Sequence, residues 1–352
     1  MWVCYFQMQI IKSNNGFPYA WKAGRVEQLI RDILERKAQE QLNCDRVMVV
    51  NPTWLHEDDI AGQINQANPD FIICHNFADP VIPQVHQSII NSGRPYIIIG
   101  STSHFRLDFW AMVCDLYFQH YTDQDTYVIP GAREYICLNR KPHPHRIRLV
   151  EQLQLSQVFD KGFVSLGLPG DQAITIDTDF KDEQGIKDEH GNVGIDETFV
   201  SSKIKNDIFS VGDLDVWNRS YLCLVTETEF SNADPADFFI SEKTWKPILG
   251  YRPFFVYGQP KLREYLKEQG FDIFEDMFDY SIVDETAGDY ARQMMYSQVA
   301  VNAIKNIDTL QGGTYGQYCE NFHRFQLNRQ RFSSYVYEQW NKLNTLDLRK
   351  FM

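Results

Sequence analysis

Short apolar runs alternate with longer amphipathic segments along this chain, and that alternation restricts it to an α/β architecture built on parallel sheets. Residues 2–11, 46–50, 70–74 and 95–100 read as strands. Between them, 23–41, 57–66 and 81–90 carry helical spacing, with Val26, Leu29, Ile30, Ile33 and Leu34 on one face of the first. An aromatic-rich stretch, 105–121, ends this half. Residues 122–133, punctuated by Pro130 and Gly131, read as a linker. A second round follows, with strands at 135–138, 162–166, 221–225 and 253–257 and helices at 145–155 and 260–268. Two long amphipathic segments, 287–307 and 316–343, close the chain. Residues 168–200 are polar and acidic and read as an excursion from the core. The expected fold is α/β, with two Rossmann-like, doubly wound domains facing each other across a cleft and long C-terminal helices. The expected boundaries are 1–130, 131–310 and a C-terminal helix, 311–352, packing back on the first domain.

The whole chain bounds the function. Its 352 residues, 43% of them hydrophobic, are enough for two cores. A net charge of −13 argues against a general nucleic-acid-binding surface, and against an enzyme that glycosylates DNA bases. Seven scattered cysteines with no CxxC pair read as reduced thiols, which points to the cytoplasm. The opening MWVCYFQMQII has no basic lead and is too short to span a membrane, so it reads as a strand. No GxGxxG follows an early strand, which removes a dehydrogenase.

Chemistry concentrates in residues 221–258. Tyr221 to Val225 is a strand, and Thr226, Glu227 and Thr228 stand where it ends. Phe239-Ile240-Ser241-Glu242-Lys243 then leads into a short helix that Gly250 breaks. With Thr244 as the cap, Pro247 falls in the first turn, where proline is tolerated. Parallel sheets bind ligands at strand carboxyl ends and helix amino ends, which is where Glu227, Glu242 and Lys243 fall. A second cluster, CLNRKPHPHRIR at 137–148, places Arg140, Arg146 and Arg148 at another strand-to-helix junction. Arginine forks match phosphate oxygens. His143 and His145, flanked by prolines, are weak metal ligands, and no metal site is expected.

This order of residues resembles the donor-binding half of the α-1,3-fucosyltransferases, over roughly 135–280. That family has a strand ending in Phe-Glu-Asn-Ser, then Tyr-x-Thr-Glu-Lys-Leu. Here Val225-Thr226-Glu227-Thr228 and Phe239-Ile240-Ser241-Glu242-Lys243-Thr244 stand in those places. Glu227, Glu242 and Lys243 match directly; Phe239 replaces Tyr and Thr228 replaces Asn. Arg146 matches by its place between strand and helix. The style of the chain also resembles glycosyltransferase-like proteins of large-genome viruses and phages, which implies a host-cytoplasmic location.

The resemblance implies the two-domain GT-B architecture. It implies transfer, with inversion and no cofactor, of a sugar from a nucleotide diphosphate sugar, GDP-linked in that family, to a glycan or other hydroxyl acceptor. Arg146 and Lys243 would hold the diphosphate, with Arg140 also in the donor site. Glu227, Glu242 and Phe239 would line the donor site. The base belongs on a first-domain loop that follows a strand. His75 and Asp79 are the candidates chosen there, with Glu57, Asp58, Ser101, Thr102 and His104 in similar positions and Asp276 and Asp279 in the donor half. The alternative is a non-catalytic glycan- or nucleotide-binding protein with a degenerate transferase fold.

Overall fold

The computed structural model describes residues 8–12, 22–51, 57–76, 83–100, 105–118, 121–139, 143–166, 174–175, 211, 214–231, 239–307 and 312–352. The chain is mixed α/β and divides into two compact units. The first holds residues 1–113, 236–239 and 336–352; the second holds 114–235 and 240–335.

In the first unit, strands β1 (Gln9–Lys12), β2 (Arg46–Val50), β3 (Phe71–Asn76), β4 (Tyr96–Gly100) and β5 (Phe105–Arg106) pair in parallel, in the order β1-β2-β3-β4-β5. Helices α1 (Lys22–Gln41), α2 (Glu57–Ala67) and α3 (Pro83–Asn91) make the crossovers. β2 to β4 are continuous apolar runs because both faces of a parallel sheet are covered. Met48, Val50, Ile72, Cys74 and Ile98 pack with Ile60 and Ile64 of α2 and Val85 and Ile89 of α3. The expected doubly wound order is not met here: among the described strands each adds beside the last, and the order never reverses. Apolar periodicity marks strands but does not encode the direction in which a sheet grows. Residues 336–352 belong to this unit, where Lys37 Nζ donates to the carbonyls of Asn344 (2.7 Å) and Leu346 (2.9 Å).

The second unit is built on β6 (Arg133–Asn139), β7 (Gly162–Leu166), β8 (Ile174–Thr175), β9 (Ser220–Thr226) and β10 (Phe254–Tyr257). Their order is β10-β9-β6-β7-β8, parallel except for β8. The chain grows one way from β6 to β7 and β8, then returns to place β9 on the other side of β6. Helix α4 (Phe109–Phe118) spans the cut between the units, and α5 (Pro144–Leu155) follows β6. Helices α6 (Leu214–Asn218) and α7 (Glu242–Leu249) flank β9. α8 (Leu262–Glu268), α9 (Asp289–Ile307) and α10 (Gly313–Thr345) complete the chain. The polar stretch 168–200 lies outside the described residues except for Ile174 and Thr175. Residues 122–133, expected as a linker, are tied into this unit, with Ile129 N donating to Asn218 O and Arg133 opening β6.

Trp245 of α7 is fully buried and packs against Phe271, Phe332 and Tyr335, with ring centroids 5.4–5.5 Å apart. Gly250 ends α7 against Trp217: a Cβ there would meet the indole at 2.5 Å, so only glycine lets the helix finish at this spot. The Trp217 Nε1–H then donates to Gly250 O at 3.0 Å.

Among the described residues no helix is long and apolar enough to cross a membrane. The six described cysteines are free.

Candidate functional site

A doubly wound sheet opens a crevice at the carboxyl ends of the two strands where its order reverses. In the second unit those strands are β6 and β9. Their ends are joined through Asn139, whose Oδ1 accepts from Thr226 Oγ1 at 2.5 Å and whose Nδ2 donates to Ser165 O at 3.1 Å. The helices that follow them, α5 and α7, both start at this edge.

α5 begins at Pro144, where a missing N–H costs nothing, after His143 in extended conformation. Its first turn is bolted to the end of β9. His145 Nε2 lies 2.9 Å from Glu227 O, which can only accept, so this nitrogen carries the proton. Arg146 Nη2 donates to Thr226 O (3.2 Å) and Glu227 O (3.0 Å). Arg146, expected to grip phosphate directly, is buried and braces β9 instead. Its charge still raises the local potential beneath the site.

α7 is capped by Ser241, not Thr244. The Ser241 hydroxyl accepts from Lys243 N and donates to Glu227 Oε2 at 2.6 Å. Pro247 therefore sits in the second turn and removes the ladder N–H that would pair with Lys243 O. Glu227 is 0% exposed. Its carboxylate also accepts from Ser241 N (3.2 Å), Thr228 N (3.2 Å) and Thr244 Oγ1. Glu227 thus anchors α7 to β9. Gly258 leaves it room, since a Cβ there would lie 3.2 Å from Glu227 Cβ.

Lys243 keeps its side chain 28% exposed. Its ammonium touches Ser241 Oγ (3.1 Å), Thr228 Oγ1 (3.3 Å) and Glu242 Oε1 (3.1 Å). Burial works against the Glu242 charge, but Lys243 and Lys246 outweigh it and hold the carboxyl below its usual range. Phe239 is buried.

The structure thus gathers Arg146, Glu227, Glu242 and Lys243 around one strand end. Sequence reasoning missed the roles of Asn139, Thr226, Ser241 and Thr244, and gave His145 only a weak metal role. Among the described residues no group of three or more His, Cys, Asp or Glu is placed to hold a metal. His145 instead stacks on Phe230 (5.5 Å) and Tyr257 (6.0 Å). The only signal for it was its place in the first turn after a strand.

The base candidates fare differently. His75 stands at the end of β3 but is fully buried, and burial, reinforced by Arg31, pushes its imidazole down to about 3. A base must reach a hydroxyl proton and be basic enough to take it, and an imidazole this deeply buried and this weakly basic is poorly placed to do either. Asp276 pairs with Arg324 at 2.7 Å, and Asp279 caps a 3-10 turn by accepting from Ser281 N at 3.0 Å. Both carboxylates thus have local structural partners. Glu57 and Asp58 open α2. Asp79, Arg140, Ser101, Thr102 and His104 lie outside the described residues.

Burial also pushes His145 from 6.5 down to about 4, with Arg146 acting in the same direction and the Glu227 carbonyl opposing. The unfolded chain protonates His145 near 6.5, so between those values the unfolded state binds more protons. Stability is complete above about pH 6.5 and is expected to fall as pH drops toward 4, with His75 adding in the same sense. Urea midpoints across that window check this. His145→Gln is expected to flatten the profile, and an unchanged slope would remove His145 as a contributor.

Comparison of the chain with protein-family models, with curated proteins and with solved structures finds no match.

Proposed function

We propose that the second unit binds the diphosphate of a nucleotide sugar at the β6–β9 reversal, and that the protein is a glycosyltransferase acting with inversion on a hydroxyl acceptor. The observation that carries this reading is the meeting of two helix starts, α5 and α7, and the half-open Lys243 at the one place where the described strand order reverses. Helix amino ends favour anions, and a lysine adds a mobile positive charge. An inverting transfer needs positive groups to stabilise the departing diphosphate. Lys243 takes that role, assisted by the helix starts and by the buried charge of Arg146. Glu242, an ionised acceptor beside Lys243, suits a ribose or donor-sugar hydroxyl. The likeness of these positions to the α-1,3-fucosyltransferase pattern supports the same assignment.

One observation favours the alternative of a non-catalytic nucleotide- or glycan-binding protein: the candidate base His75 is interior. Release of free nucleotide from a panel of nucleotide sugars, with and without glycan acceptors, separates the two. The transferase reading expects acceptor-dependent release. Lys243→Ala is then expected to lower kcat/KM about 100-fold, the scale for truncating one partner of a charged hydrogen bond. Its melting midpoint is expected to stay near wild type, because the side chain is part-exposed. Tight nucleotide binding without release from any donor would favour the binding protein.

A further inference from the structure

Arg148 lies on α5 one turn beyond His145, and Tyr290 is the second residue of α9. The Arg148 guanidinium carbon sits 4.5 Å from the centre of the Tyr290 ring. Two properties distinguish this pair. Tyr290 is 61% exposed, whereas Phe163, Trp217, Phe230 and Phe274, which also carry guanidinium groups over their rings, are buried. The other arginines seated on rings are also committed to polar partners. Arg219, Arg263, Arg292 and Arg324 hold carboxylates, and Arg252 holds carbonyls. Arg148 has no such partner among the described residues; its Nε, like those of Arg219 and Arg292, is buried without a hydrogen bond, but it alone of the three holds no carboxylate. A buried donor left unmade is costly unless something arrives to accept from it.

Both helices that carry the pair are tied to residues 227–231, which follow β9. Ser231 bonds Asp289, and Arg292 Nη2 donates to Phe230 O at 2.9 Å, which fixes the start of α9 to the segment after β9. His145 fixes the start of α5 to the same segment through Glu227 O.

We infer that the Arg148–Tyr290 pair is the platform on which the base of the bound nucleoside diphosphate stacks. This rests on the diphosphate reading of the neighbouring site. A phosphate alone has no use for an exposed aromatic face. A sugar can accept from a guanidinium but has no π face to continue the guanidinium–ring stack. A nucleobase has both a π face for the ring and acceptor atoms for the arginine donors.

Calorimetric titration of wild type, Tyr290→Ala and Tyr290→Phe with GDP, UDP, ADP and inorganic pyrophosphate tests this. Tyr290→Ala is expected to weaken its preferred nucleoside diphosphate about tenfold, with Tyr290→Phe close to wild type. Pyrophosphate, which has no base, is expected to bind all three equally. Should Tyr290→Ala bind nucleoside diphosphates as wild type does, or weaken pyrophosphate by the same factor, the platform is wrong while the diphosphate site stands. A wild type that binds neither pyrophosphate nor any nucleotide overturns both readings.

Discussion

Replacing Arg252 by alanine is expected to destabilise the second unit by about 4 kcal/mol, within the range for breaking a buried hydrogen-bonded charge. Arg252 is 1% exposed. Its Nε donates to Ser220 O (3.0 Å), Nη1 to Thr126 O (2.6 Å), Gly250 O (3.2 Å) and Tyr251 O (3.1 Å), and Nη2 to Tyr127 O (3.2 Å) and Trp217 O (2.9 Å). The guanidinium also lies over Trp217 and Tyr318, at 5.4 and 5.5 Å. Burial lowers its pKa to about 10, which still leaves it charged at neutral pH. These carbonyls come from the segment before β6, the entry to β9 and the end of α7, so one side chain ties three parts of the chain together. Alanine removes this donor from all of them in the interior, and only Gly250 O and Trp217 O keep another side-chain donor, the Trp217 indole and the Ser220 hydroxyl. Lysine restores the charge but not the planar fork, and is expected to recover less than half of the loss. Chemical denaturation followed by tryptophan fluorescence measures this. A loss below about 1 kcal/mol would mean the carbonyls find other partners.

The second large effect is expected at Glu227. Its carboxylate gathers Ser241 N, the Ser241 hydroxyl, Thr244 Oγ1 and Thr228 N. Glu227→Ala strands those donors and frees the start of α7, at a cost of about 3 kcal/mol by the same reasoning. The functional consequence is separate and larger. The Ser241 cap positions Lys243, so nucleotide binding is expected to fall at least as far as in Lys243→Ala even at temperatures where the protein remains folded. Glu227→Gln keeps one acceptor oxygen and is expected to lie between the two. Paired melting and binding measurements on Glu227→Ala, Glu227→Gln and Lys243→Ala check this. If Glu227→Ala bound nucleotide normally, Glu227 would not support the site.

How far these features were legible from residue order depends on the kind of signal. Strands such as Tyr96–Gly100 and Phe254–Tyr257 were visible because parallel strands are buried on both faces and read as unbroken apolar runs. The reversal of order at β6 and β9 was not visible, because it depends on which strands pair. Lys243 and Glu242 were singled out by their position after a strand. Glu227 was singled out too, but the hydrogen bonds it makes to Ser241 and Thr244 were not visible. A carboxylate past a strand end reads the same whether it meets a ligand or a helix cap, and its partners Ser241 and Thr244 stand 14 and 17 residues away. Arg146 shows the same ambiguity, since the carbonyls it braces belong to a strand about 80 residues later in the chain.

The most direct measurement is a crystal structure of the protein with a nucleoside diphosphate soaked in at saturating concentration. The account predicts the pyrophosphate at the carboxyl ends of β6 and β9, in hydrogen-bonding reach of Lys243 Nζ. A nucleotide bound at the strand ends of the first sheet, or none bound at all, would contradict it.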